Sequence, residues 1–125
     1  MISSIGQVML YVSNVEASAD FWKNKVGFER VEKQTQGDYV TYIVAPKLDS
    51  KVSFVLHDKA IIAQMSPELD LATPSILFET TDIDSTYQEL TANEVMTNPI
   101  VDMGSMRVFN FSDNDNNYFA IREVK

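Results

Sequence analysis

Three oxygen-bearing side chains alternate in the C-terminal run FSDNDNNYFAIRE: Asp113, Asp115 and Asn117. Oxygen donors at this spacing suit a hard cation, but a calcium loop between helices also needs Gly at its sixth position and a bidentate Glu at its twelfth. Counted from Asp113, those places hold Tyr118 and Val124. Asp and Asn tolerate left-handed backbone and bond their own main chain, so the cluster between Val108–Phe111 and Tyr118–Ile121 is expected to form a hairpin turn. Other chemistry-bearing groups are sparse. His57 is the only histidine, and one imidazole does not make a metal site, so it is expected to be structural or merely exposed. Cysteine is absent, which excludes disulfides, thiolate metal sites and cysteine nucleophiles together. Glu79, if buried, could serve metal-free acid–base chemistry, and beside an open pocket it could meet a cation.

Composition narrows the function classes. The chain has 125 residues, 45% of them apolar, enough for one domain with a hydrophobic core. Its net charge is −8, from 18 acidic and 10 basic residues, so nucleic acid is not an expected partner. A negative field can gather cationic ligands, although acidity also simply keeps proteins soluble. No Lys or Arg precedes Lys23, so the basic start of a signal peptide is missing. No apolar run approaches the roughly 20 residues of a membrane helix. A cytoplasmic protein with no membrane partner is the expectation.

The elements that position these groups show an internal repeat. QVMLYVSNVEAS, from Gln7, aligns with SILFETTDIDST, from Ser75, 68 positions further on. Val8 meets Ile76, Leu10 meets Phe78, Asn14 meets Asp82 and Glu16 meets Asp84. In each copy a short apolar strand leads to a helix whose N-cap is Asn14 or Asp82, with an acid in the first turn. Val15, Ala19, Phe21/Trp22 and Val26 are spaced for a helix that Gly27 ends, and Ile83, Tyr87 and Leu90 for one that stops near Asn93. Extended segments are expected at 28–34, 39–45 and 52–57, then at 95–101, 106–111 and 118–124. A linker from Ala60 to Pro74 has room for a short helical turn. Each half therefore reads βαβββ, an α+β pattern. Strand alternation puts Gln7, Met9 and Tyr11 on one face, Ser75, Leu77 and Glu79 on the matching face, and Tyr118, Ala120 and Arg122 together.

Two βαβββ halves, with LYVSNVEASADFWKNKVGF early and FSDNDNNYFAI late, resemble the vicinal-oxygen-chelate superfamily of glyoxalases, bleomycin-resistance proteins, extradiol dioxygenases and fosfomycin-resistance enzymes. The likeness covers essentially the whole chain. It implies a single domain at 1–125, with a first module at about 1–57, a linker at about 58–74 and a second module at about 75–125. It also implies curved, cup-like mixed sheets and a homodimer. In that family metal ligands project inward from four strands. Their places here fall on Gln7, on Ser75, on Ala120 and near Ser53 or Phe54. Gln7 is a weak neutral donor, Ser75 a poor one, and Ala120 has nothing to donate, so neither a metal nor another cofactor is expected. Where glutathione-dependent glyoxalases often carry Arg, this chain has Tyr11.

The resemblance then implies a metal-independent protein that binds a small molecule, such as a cationic or aromatic antibiotic, in a cup lined by the nine residues that alternation groups. Tyr11, Tyr118 and Trp22 are candidates to stack on a planar ligand, and Trp22 equally suits packing of the first helix onto its sheet. The alternative is an enzyme, a lyase, isomerase or dioxygenase-like catalyst with a non-standard metal site built on Gln7.

Overall fold

Asn14 and Asp82 begin the two principal helices by the same chemistry. In the computed structural model, which describes residues 1–125, Asn14 Oδ1 accepts from Ala17 N at 3.0 Å and Asp82 Oδ1 from Ser85 N at 3.0 Å. Each cap satisfies an amide that a first helical turn leaves without an intrahelical acceptor. Along the chain run β1 (Gln7–Val12), α1 (Val15–Asp20), β2 (Glu29–Gln36), β3 (Tyr39–Ala45), β4 (Ser53–Asp58), α2 (Lys59–Met65), β5 (Leu77–Thr80), α3 (Ile83–Ala92), β6 (Val101–Asp102), β7 (Arg107–Ser112) and β8 (Tyr118–Glu123). The α1 helix continues as a wider turn over Phe21–Lys25, where Val26 N reaches back five residues to Phe21 O at 3.3 Å. Gly27 closes it at φ +88°, a conformation that costs a glycine nothing.

The chain divides into two compact units, Met1–Thr73 and Pro74–Lys125. The first holds a sheet of order β1-β4-β3-β2, the second a sheet of order β5-β8-β7-β6. In each, the two outer elements of sequence pair in parallel (β1 with β4, β5 with β8) and the remaining neighbours are antiparallel. The architecture is thus the expected α+β fold with two mixed four-stranded sheets.

One face of each sheet packs on its helix. In the first unit Leu10, Val12, Tyr42, Val44, Phe54 and Leu56 alternate onto the buried face, and α1 lies against β3 and β4. Trp22 completes this core, edge-on to Phe21 and Phe54 at 5.4 Å. In the second unit Phe109, Phe111, Phe119 and Ile121 are buried, and Tyr87 of α3 meets Phe109 edge-on at 5.2 Å. The acids in the first helical turns are tied to strands in both halves. Glu16 accepts from the Tyr42 hydroxyl at 2.5 Å and pairs with Lys33. Asp84 takes two bonds from Arg107, each 2.9 Å.

Two segments differ from the sequence expectation. The strand expected at 95–101 is broken: Thr97 makes one isolated bridge to Phe111, and regular pairing resumes only at Val101–Asp102. Pro99 lies between them, and a proline has no N–H to give to a ladder. The 60–74 segment opens with a true helix, α2, because Asp58 caps it by accepting from Ala60 N at 2.9 Å and Ile61 N at 3.2 Å.

Candidate functional site

The sheet face turned away from the helix carries the candidate residues in each unit. In the first, Gln7 stands opposite Ser53, Met9 opposite Val55 and Tyr11 opposite His57, with β3 adding Ile43 beside Val55. Gln7 is exposed, Met9 is 40% exposed and Tyr11 is half-buried. In the second unit Leu77 stands opposite Ala120 and Glu79 opposite Arg122. Tyr118 is exposed at the start of β8, opposite Ser112. Ser75 precedes β5, whose ladder with β8 begins with Ala120 N donating to Ile76 O at 3.2 Å.

Glu79 is held by its neighbour. Arg122 donates to the same Glu79 oxygen through Nε at 3.1 Å and a terminal nitrogen at 2.6 Å. The Glu79 side chain is 52% exposed, so the burial that acid–base work by this carboxylate requires is missing. Trp22 has no exposed surface and is packed by Phe21, Phe28 and Phe54, so it serves the core rather than a ligand.

Strand register also shows which β4 residue is the counterpart of Ala120. Met9 and Leu77 are repeat equivalents, and Leu77 pairs with Ala120, so the residue that pairs with Met9 is the counterpart of Ala120. That residue is Val55, one beyond the Ser53 or Phe54 expected from sequence. A divalent cation in a catalytic site needs about three or four side-chain donors. Gln7, Val55, Ser75 and Ala120 do not supply them, and no three His, Asp or Glu side chains gather elsewhere in a way that could hold an ion. The donor set does not fit the family's metal.

The Asp113–Asn117 segment is the hairpin turn between β7 and β8. Asp113 Oδ1 accepts from Asp115 N and Asn117 N, both at 2.9 Å, and Asn117 Nδ2 donates to Oδ2 at 3.2 Å. Asn116 takes the left-handed conformation at φ 62°. The Asp113 carboxylate, only 7% exposed, is spent on its own loop.

Sequence reasoning missed the most connected group on the first sheet. The Tyr39 hydroxyl lies 2.5 Å from His57 Nδ1, and His57 Nε2 lies 3.1 Å from Met9 Sδ. The rings of Tyr11 and Tyr39 lie 26° and 23° from the imidazole plane with centroids 5.7 and 6.1 Å away, Tyr39 meeting it hydroxyl-first. Burial holds the His57 imidazole below its ordinary pKa, which favours the neutral ring. Burial, then the charges of Tyr11 and Asp58, pushes the Tyr39 hydroxyl up. A cavity of about 260 Å³ borders Tyr39, lined also by Gln34, Thr35, Gln36 and Thr41. Strand alternation alone would have put His57 on the face of Tyr11, once the β1–β4 pairing was known.

The sequence model of the glyoxalase/bleomycin resistance protein/dioxygenase superfamily matches residues 4–121. The uncharacterized protein YetH of Bacillus subtilis (strain 168) is 32% identical over 127 residues, spanning 98% of this chain and all of YetH. Among solved structures, TnmS3, an antibiotic binding protein from Streptomyces sp. CB03234, superposes with a TM-score of 0.83 at 25% identity, covering 99% of this chain and 98% of that one. A member of the same superfamily from Sphaerobacter thermophilus DSM 20745 gives a TM-score of 0.79 at 28% identity, covering 98% of each chain.

Proposed function

Because the chain belongs to the glyoxalase/bleomycin resistance protein/dioxygenase superfamily, we propose that it is a metal-independent binding protein that sequesters a small cationic or aromatic compound, of the kind an antibiotic represents. The observation that carries this reading is the chemistry at the family's four ligand places. Gln7, Val55, Ser75 and Ala120 offer one amide and one hydroxyl among them, and no carboxylate or imidazole. The sheets that remain are well suited to a ligand without a metal. Their open faces mix apolar and aromatic groups (Met9, Tyr11, Leu77, Tyr118) with a few oriented polar ones, the usual make-up of small-molecule sites. A structural relative described as an antibiotic binding protein, matched over nearly its whole length, supports the same class of ligand.

In this reading Gln7, Met9 and Tyr11 line the binding face of the first unit, and Ser75, Leu77, Glu79, Tyr118, Ala120 and Arg122 line that of the second. Glu79 acts with Arg122 as a polar pair rather than as a base. The protein works in the cytoplasm as a homodimer. Open edge strands β1, β2, β5 and β6 are the places where a second copy could add to a sheet. Sedimentation at micromolar concentration tests the dimer. Elemental analysis of the purified protein tests the central point: substoichiometric nickel, zinc, iron and manganese are expected, and one tightly held ion per chain overturns the proposal in favour of a metal-dependent enzyme.

A further inference from the structure

We infer that Tyr11, His57 and Tyr39 form a subsite for a flat aromatic ring bearing an oxygen acceptor, which the Nε2–H of a neutral His57 reads by a hydrogen bond. This rests on the reading of the chain as a small-molecule binder and adds to it a place, a donor and a ligand class.

Two contacts assign the imidazole proton. A nitrogen 3.1 Å from a thioether sulfur needs a hydrogen between them, since two lone pairs would repel at that distance. With the proton on Nε2, Nδ1 carries the lone pair, and the Tyr39 hydroxyl at 2.5 Å donates to it. The Tyr39 bond therefore fixes both the tautomer and the ring's orientation. On the other side the Nε2–H points at Met9 Sδ, a weak acceptor on a flexible side chain that is 40% exposed. Exchanging that sulfur for a carbonyl or hydroxyl oxygen is favourable, and Met9 has the freedom to move aside.

The rings supply the second half of the recognition. Tyr11, His57 and Tyr39 come from three neighbouring strands with ring planes within 26° of the imidazole's, Tyr39 extending it end to end through its hydroxyl. Each is only half-buried, so together they offer a broad flat surface. A flat ligand that lies on such a surface gains stacking with an area no aliphatic compound can match. Tyr39 also borders the cavity of about 260 Å³, which leaves room beside the rings for the rest of the ligand. No strong charge stands within hydrogen-bond reach of His57, so the subsite selects by shape and by one donor.

Because His57 is the only histidine, its ring protons are a clean proton-NMR reporter. The test titrates coumarin, a flat ring system with a carbonyl oxygen, and indole, a flat ring system with only an N–H donor, into the full-length protein. Coumarin is expected to move the His57 signals upfield along a saturable curve, with indole about ten-fold weaker. His57→Phe keeps a ring but removes the donor, and should weaken coumarin about ten-fold, followed on the coumarin's own resonances. Tyr39→Phe removes only the bond that fixes the tautomer; it should also weaken coumarin while leaving the fold intact, which covers the case of an unstable His57 variant. Unmoved His57 signals up to coumarin's solubility limit, or full affinity in both variants, overturn the subsite. If other compounds still raise the melting temperature while His57 stays silent, this subsite alone falls; if nothing binds at all, the proposed function falls with it.

Discussion

Arg122 clasps Glu79 across the parallel β5–β8 pair, two nitrogens on one carboxylate oxygen at 3.1 and 2.6 Å. Both side chains remain about half exposed, at 41% and 52%. Exposed pairs of this kind contribute no more than about 1 kcal/mol, because water competes and two long side chains must be ordered. Glu79→Gln is therefore expected to lower stability in urea by less than about 1 kcal/mol and to leave the fold unchanged. Were the protein an acid–base enzyme working through this carboxylate, the same variant would instead abolish turnover.

Asp113 is the opposite case, an acid whose environment is nearly closed. It is 7% exposed and accepts three bonds within its own turn. Asp113→Ala leaves two backbone amides without their acceptor. A loss of about 1–3 kcal/mol is expected from urea unfolding monitored by Trp22 fluorescence. Added calcium should not restore the wild-type value, since the loop is a turn and not an ion site.

The titration of His57 gives a pH dependence whose sign follows from burial. The folded pKa lies below the unfolded value of about 6.5, so between the two the unfolded chain binds more protons. The contribution is fully present above about pH 6.5 and is lost as pH falls through that window. Stability in urea should therefore drop between about pH 7 and 5 in the wild type, and drop less in His57→Phe. The single histidine resonance should titrate with a midpoint below the ordinary value.

Local chemistry made much of this fold legible. The repeat that aligns Gln7 with Ser75 located both helix caps, because Asn14 and Asp82 act on amides three residues away. Alternation placed Met9 and Tyr11, like Leu77 and Glu79, on the face away from the core, because strand periodicity is also local. What sequence could not give depended on partners far along the chain. His57 looked isolated because Tyr39 and Met9 reach it from strands 18 and 48 residues away. Val55 emerges as the counterpart of Ala120 because only the observed register fixes which β4 residue faces Met9. Pro99 stands inside the strand expected at 95–101, and its missing N–H breaks the ladder there.

The most direct measurement is a thermal-shift screen of cationic and aromatic compounds against protein treated with EDTA. A ligand held at a hundred times its dissociation constant should stabilise the chain by roughly 2.7 kcal/mol, and should do so without added metal. Stabilisation that appears only when nickel, zinc or iron is restored would contradict the account.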